Sequence, residues 1–114
     1  MNQAIQTYLA THDAATQARF NQLYQLILES APREIEESLW ARLPTFACGK
    51  NFVRLIPFKD HINVEARAIL AYRGQLAGWN ITPKGMLQIG HQQEIPAALL
   101  IQIFRATLDS QEPL

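Results

Sequence analysis

Three carboxylates lie within four residues of one another, at Glu34, Glu36 and Glu37. Carboxylate oxygens are ligands that hard cations such as iron(II), calcium and magnesium accept readily. In a strand, Glu34 and Glu36 share one face and Glu37 lies on the other, whereas in a helix Glu34 and Glu37 are neighbours. Either arrangement offers two ligands on one face, and Arg33 offsets part of the negative charge. The pattern therefore favours a solvated polar segment over a weak cation site.

The histidines His12, His61 and His91 are further side chains that can bind metals or move protons. None belongs to an HxxxH, HExxH or Cys/His spacing, so the sequence does not predict a zinc site. Asp60 precedes His61 in a predicted turn, and this pair is an outside candidate for metal binding. The candidate metal ligands are thus Glu34, Glu36, Glu37, Asp60 and His61. Because the sequence contains no Ser/His/Asp grouping, GxSxG motif or phosphate-binding loop, we predict a protein that is not an enzyme and requires no cofactor.

Basic side chains flank several predicted strands and turns, and aromatic side chains lie near them in the sequence. If these groups converge, they hold an anion over an aromatic floor, with His61 as a pH-sensitive donor. Solubilising charges scattered along the sheet edges explain the same pattern, and we favour that interpretation. The aromatic side chains are expected in the core or on a partner-facing surface. The basic residues are Arg42, Lys50, Arg54, Lys59 and Lys84, and the candidate ligand-binding residues are Lys50, Phe58, Lys59, His61 and Lys84.

The composition is that of one small globular domain. The chain has 114 residues, of which 48% are hydrophobic, and this is enough to build a core without disulfides. Ten Lys and Arg residues balance ten Asp and Glu residues, and the net charge of zero excludes the long-range basic field of nucleic-acid binders. Cys48 is the only cysteine, and the sequence contains neither a secretory signal nor an apolar run of membrane-spanning length. We therefore expect a cytoplasmic protein, monomeric or homodimeric, that binds neither nucleic acid nor membranes.

Helical periodicity at both ends of the chain encloses a central segment that is rich in strand-forming residues. Apolar residues at i, i+3, i+4, i+7 and i+8 predict an amphipathic helix after Asp13, a suitable N-cap. The predicted helices are Ile5–Leu9, the segment between Asp13 and Pro32, Arg67–Leu76 and Pro96–Ser110, and the predicted strands are Thr45–Cys48, Phe52–Phe58, His61–Glu65 and Met86–Ile89. This order predicts a single α+β domain over residues 1–114 with an antiparallel sheet of about four to five strands. The N-terminal and C-terminal helices are expected to pack on one side of that sheet.

Several short motifs occur in an order that resembles the YdhG-like family of small bacterial domains. The family pattern is a Met-Pro-x-Phe strand, a Gly-Lys turn, a Phe-Lys-x-His-Ile hairpin, a Gly-Tyr pair, a Ser-Lys-Gly strand entry and a last helix that begins with proline. The similarity covers about residues 5–108 of the chain. The corresponding segments are Leu43–Phe46, Gly49–Lys50, Pro57–Ile62, Leu76–Trp79, Pro83–Gln88 and Glu94–Pro96.

The resemblance implies a compact α+β domain in a bacterial cytoplasm. Some members of the family are described as frataxin-like chaperones that donate iron(II) to iron–sulfur cluster or haem assembly proteins. Glu36 and Glu37 match the paired acidic segment that the family carries before its first strand. Frataxin-type chaperones are expected to be strongly acidic, whereas this chain has a net charge of zero. We therefore expect a non-enzymatic binding domain, with transient iron(II) delivery as the first hypothesis and an anion-binding or protein-interaction module as the alternative.

Overall fold

The computed structural model describes residues 1–109 of the chain and confirms the predicted α+β class. The helices are α1 (Gln3–Leu9), α2 (Ala14–Ser30) and α3 (Ala97–Leu108), with a 3₁₀ helix at Arg67–Leu76. The strands are β1 (Glu36–Trp40), β2 (Leu43–Cys48), β3 (Asn51–Pro57), β4 (His61–Ala66), β5 (Asn80–Ile81) and β6 (Leu87–Gly90). Within residues 1–109, none of the helices combines the length and the apolar composition that crossing a membrane requires.

The strands form one antiparallel sheet in the order β1-β2-β3-β4-β6-β5. Because the first four strands are joined as consecutive hairpins, successive turns lie at opposite ends of the sheet. The β1–β2 turn has a positive φ at both Ala41 (51°) and Arg42 (66°), as tight two-residue hairpin turns require. We call the end with the Gly49–Lys50 turn the Lys50 end, and the end with the Lys59–Asp60 turn the His61 end.

The three α-helices pack on one face of the sheet, as predicted. Strand side chains alternate between the two faces, and those that meet the helices are fully buried. Phe20 of α2, Phe46 of β2 and Phe104 of α3 are the largest of these buried side chains. On the opposite face the strand side chains keep part of their solvent exposure, so this face of the sheet is open.

The boundaries of α2 follow from local chemistry. Asp13 is its N-cap, as predicted, because its side chain accepts a hydrogen bond from the backbone N–H of Thr16 at 2.8 Å. This hydrogen bond holds the pKa of the Asp13 carboxyl below its ordinary value. The helix ends at Ser30, since a residue before a proline avoids the helical conformation and Ala31 precedes Pro32. For the last helix, the predicted end at Ser110 lies outside the described residues, and α3 extends to Leu108.

Within residues 1–109 the sheet has six strands, one more than the upper end of the expected range. The strand β1 (Glu36–Trp40) was not predicted because Glu37 occupies an inward-facing position and breaks the apolar alternation. The two-residue strand β5 is too short to leave a periodic signal in the sequence. The helix expected at Arg67–Leu76 has these bounds but is a 3₁₀ helix.

Candidate functional site

The structure does not bring the five candidate metal ligands together. Glu36 faces solvent on the open face of β1, Glu37 lies on the opposite face, and Glu34 is exposed just before the strand. Asp60 and His61 belong to the His61 end, whereas β1 begins at the Lys50 end. Within residues 1–109, no group of three His, Cys, Asp or Glu side chains is arranged to hold a metal ion. These five candidates therefore do not form a single site, and iron(II) binding itself stays a prediction.

Glu37 instead connects the N-terminal segment and α2 to the first strand. Its Oε1 atom accepts a hydrogen bond from the backbone N–H of Asn2 at 2.5 Å. Its Oε2 atom accepts a hydrogen bond from the hydroxyl of Tyr24 at 2.5 Å. Burial, followed by the hydrogen bond with Glu37 and its negative charge, raises the pKa of Tyr24 to about 12. Both carboxylate oxygens of Glu37 therefore accept hydrogen bonds that hold the folded chain together.

The raised pKa makes the contribution of Tyr24 to stability dependent on alkaline pH. The folded chain keeps the phenol proton up to about pH 12, whereas the unfolded chain loses it near pH 10. Stability from this group is therefore present below pH 10 and lost as the pH rises toward 12. Urea unfolding between pH 8 and 12 measures this effect. At pH 8 the free energy of unfolding of wild type should exceed that of Tyr24→Phe by roughly 1–2 kcal/mol. This difference in stability should disappear as the pH approaches 12. A difference that stays constant over the whole range would contradict the raised pKa of Tyr24.

At the His61 end, the structure brings together Phe58, Asp60 and His61. The rings of Phe58 and His61 stack with a centroid distance of 4.5 Å and an interplanar angle of 15°. The Nδ1 atom of His61 donates a hydrogen bond to Asp60 Oδ1 at 2.6 Å, and this bond holds the pKa of the Asp60 carboxyl below its ordinary value. The backbone N–H of Phe58 donates to the carbonyl of His61 and closes a two-residue hairpin turn, with Asp60 in the turn as predicted. An imidazole ring that a carboxylate holds in one orientation can bind a ligand or transfer a proton. The carboxylate that orients His61, however, belongs to Asp60 and lies on an exposed turn.

The candidate ligand-binding residues are divided between the two ends of the sheet. Lys50 and Lys84 line one cavity at the Lys50 end. Phe58, Lys59 and His61 lie beyond the other end of β3, a seven-residue strand that spans about 20 Å. The predicted set therefore does not form one site, because residues in successive turns of antiparallel hairpins lie on opposite ends of a sheet.

The open face of the sheet carries a cluster that the sequence analysis missed, built around Arg54. The guanidinium carbon of Arg54 lies 4.3 Å from the centre of the Trp40 ring and 4.0 Å from the centre of the Phe52 ring. The same guanidinium donates to both carboxylate oxygens of Glu65 at 3.2 Å and to Thr45 Oγ1 at 3.1 Å. These contacts leave the Arg54 side chain 12% exposed. We call the surface formed by Trp40, Phe52, Arg54, Ile56 and Phe58 the aromatic sheet face.

The aromatic sheet face was partly visible in the sequence. Phe52, Arg54 and Ile56 alternate along β3 and so had to share a face, and Phe58 follows the strand at the same spacing. Trp40 could join them only once β1 was known to pair with β2, because that pairing places Trp40 opposite Leu43 at the edge of the same face. The side chain of Trp40 is 59% exposed. A long-range pairing was therefore the missing information.

No protein-family model, curated protein or solved structure matches this chain. Membership of the YdhG-like family therefore stays a prediction from the motifs. The function has to be inferred from the chain's own residues and from the geometry of the aromatic sheet face, the His61 end and the cavity at the Lys50 end.

Proposed function

We propose that this chain is a non-enzymatic binding domain that docks a folded protein partner on its aromatic sheet face. The observation that carries the proposal is Trp40, a large aromatic side chain that is 59% exposed beside an ordered arginine. Tryptophan and arginine are enriched among the residues that dominate binding energy at protein interfaces. Since the three α-helices of residues 1–109 all occupy the other face, this side of the sheet is accessible to a partner.

The chemistry of the face favours a partner surface that is largely apolar. The charge of Arg54 is already balanced by Glu65, so the centre of the face offers stacked rings and aliphatic surface rather than an unpaired charge. Ile56 near the end of β3 and Phe58 just after it extend this surface toward the His61 end, and Phe58 is 44% exposed. Arg54 is held in place before binding, which lowers the entropy lost when a partner docks.

The size of the face favours a transient complex. Four strands of five to seven residues and the four-residue β6 lie side by side and give a face of roughly 20 Å by 20 Å. Stable complexes bury about 800 Å² on each partner, and this face supplies less unless its rim takes part. A weak, exchangeable complex is the expected behaviour of a protein that delivers a ligand or adapts one partner to another.

The finer hypothesis from the resemblance is that the partner is an iron–sulfur cluster or haem assembly protein. Docking on the aromatic sheet face does not depend on iron, so the two hypotheses can be tested separately. The iron(II) hypothesis draws its support from the resemblance and not from the arrangement of the glutamates. Glu37 accepts hydrogen bonds from Asn2 and Tyr24, while Glu34 and Glu36 face solvent.

Site-specific photocrosslinking tests the docking proposal. A photoreactive amino acid replaces Trp40 in one variant and Leu28 in a control, since Leu28 is 40% exposed on α2 and so lies on the helical side of the molecule. A protein crosslinked at position 40 and not at position 28 is then purified and titrated. Trp40→Ala should weaken its affinity at least tenfold, the effect of losing one dominant contact, while Leu28→Ala changes it less than twofold. Equal affinity of wild type and Trp40→Ala would refute the proposal.

A further inference from the structure

A cavity of about 320 Å³ opens at the Lys50 end, next to Phe52 of the aromatic sheet face. It lies between the β2–β3 turn, the start of the 3₁₀ helix and the β5–β6 loop. Its volume is at the lower end of the range for small-molecule sites and corresponds to about ten water molecules. We call it the lysine cavity, after Lys50 and Lys84 at its wall.

The lysine cavity concentrates positive charge in a chain whose net charge is zero. Among the described residues, Lys50, Arg67 and Lys84 line it together with a single carboxylate, Glu65, which is held by Arg54. Within residues 1–109, the ammonium groups of Lys50 and Lys84 make no ion pair and donate no hydrogen bond. Two ammonium groups beside one cavity, with no ion pair to a carboxylate of the described part of the chain, match the charge of an anionic ligand.

The backbone around Lys84 is held in place rather than being a loose loop. The N–H of Gly85 donates to the carbonyl of Thr82 at 2.8 Å, and the N–H of Thr82 donates to the carbonyl of Met86 at 2.8 Å. The hydroxyl of Thr82 accepts a third hydrogen bond from the N–H of Met86 at 3.1 Å. Gly85 has a φ of 88°, a conformation that L side chains rarely adopt, so this turn favours glycine next to the lysine. The loop therefore presents Lys84 to the cavity from a fixed position.

The floor of the cavity is apolar. Phe52, Ala66 and Leu70 contribute to it, and the side chain of Leu70 is 52% exposed although it is large and aliphatic. Such a floor buries the body of a ligand whose charged group meets the lysines, because removing apolar surface from water is favourable. Inorganic ions cannot use this floor, so the cavity fits an organic anion better.

We propose that the lysine cavity binds a small organic anion, with a carboxylate or phosphate group at Lys50 and Lys84 and an aromatic or aliphatic body over Phe52 and Leu70. The whole ligand, charged group included, has about ten non-hydrogen atoms, as the cavity volume allows. This site goes beyond the proposed docking of a protein partner and does not depend on it. The two surfaces share Phe52, but Trp40, which carries the docking proposal, does not line the cavity.

Four probes test the ligand chemistry by NMR titration of nitrogen-15-labelled protein: phenyl phosphate, benzoate, inorganic phosphate and benzyl alcohol. Phenyl phosphate or benzoate should shift the amides of Lys50–Phe52, Arg67–Leu70 and Lys84–Gly85 at millimolar concentration. Inorganic phosphate and benzyl alcohol, which lack the apolar body or the charge, should bind at least fivefold more weakly. The tighter of the two organic anions identifies the headgroup. Binding of benzyl alcohol as tight as that of the anions, or unshifted amides with all four probes, would overturn the proposal.

Matched lysine variants assign the binding to the cavity. Lys84→Gln should weaken the better probe about fivefold, as expected for one partly exposed ion pair, and Lys50→Gln with Lys84→Gln should weaken it more than tenfold. Lys59→Gln is the control, because Lys59 is also a turn lysine but lies at the His61 end. Leu70→Glu places a carboxylate on the exposed floor and should remove binding while the fold is kept. An equal loss of affinity in Lys59→Gln and Lys84→Gln would show that the anion binds by net charge alone.

Discussion

Replacing Phe104 with alanine should lower the free energy of unfolding by roughly 3–5 kcal/mol. Phe104 is 0% exposed and lies in α3, which packs against α2 and β3. The truncation leaves a cavity between the helical layer and the sheet, and the surrounding side chains can fill it only in part. Since small domains are stable by about 5–15 kcal/mol, this one change is expected to remove a large share of the total.

Urea unfolding followed by circular dichroism measures this loss, and Phe58→Ala is the matched control. Phe58 undergoes the same chemical change, but its side chain is 44% exposed, so its replacement should cost about 1 kcal/mol or less. The Phe58→Ala control also removes the ring stack with His61, so it loses an aromatic contact as well as surface area. If both variants unfold at the same urea concentration, Phe104 of α3 is not packed in the core between the helices and the sheet.

Replacing Arg54 with alanine is expected to have the second largest effect, a loss of about 2–3 kcal/mol. The change removes the packing of the arginine stem and guanidinium on Trp40 and Phe52, and it leaves Glu65 without its partner. A fully buried pair that is broken on one side costs more, but the Glu65 side chain is 31% exposed and regains contact with water. Thermal and urea unfolding of Arg54→Ala measure the loss.

A double-mutant cycle separates the ion pair from the packing. Arg54→Met keeps most of the aliphatic contact with the two rings, and Glu65→Gln removes the opposite charge. The coupling between these two substitutions should be about 1 kcal/mol, and the remaining cost of Arg54→Ala then reports the contact with Trp40 and Phe52. Arg73→Ala, on the exposed side of the 3₁₀ helix, is the control and should change stability by about 0.5 kcal/mol or less. A coupling indistinguishable from zero would show that Glu65 does not hold Arg54.

Local patterns in the sequence were enough to predict the layered fold. In α2, Phe20, Leu23 and Ile27 repeat at helical spacing, and all three are buried against the sheet. The exception is Leu28, which is 40% exposed because the buried stripe of a helix on a sheet is narrower than the apolar pattern. Strand β1 escaped prediction because the reason for its inward-facing glutamate, the contact with Tyr24 and Asn2, lies far away in the sequence.

The site was less predictable, because it depends on which strand ends meet. The alternation of hairpin turns could have separated Lys59 from Lys50, since the two residues flank a single strand. The proximity of Lys84 to Lys50 could not be derived in this way. It requires β6 to pair with β4 rather than to continue the order of the chain, and pairings over such distances leave no local signal. The contact of Arg54 with Trp40 has the same origin, because it joins β3 to β1 across β2.

The N-terminal segment opposes the addition of a further strand to the β1 edge of the sheet. The side-chain amide of Asn2 donates a hydrogen bond to the backbone carbonyl of Glu37 at 2.7 Å, on the outer edge of β1. At the other edge, β5 offers two residues, too few to template a new strand. A strand from a second molecule that added to β1 would have to displace Asn2 and bring its own backbone past the charged side chain of Glu36. Edge-to-edge polymerisation, the route by which sheets seed amyloid-like fibres, is thereby opposed at both edges of this sheet.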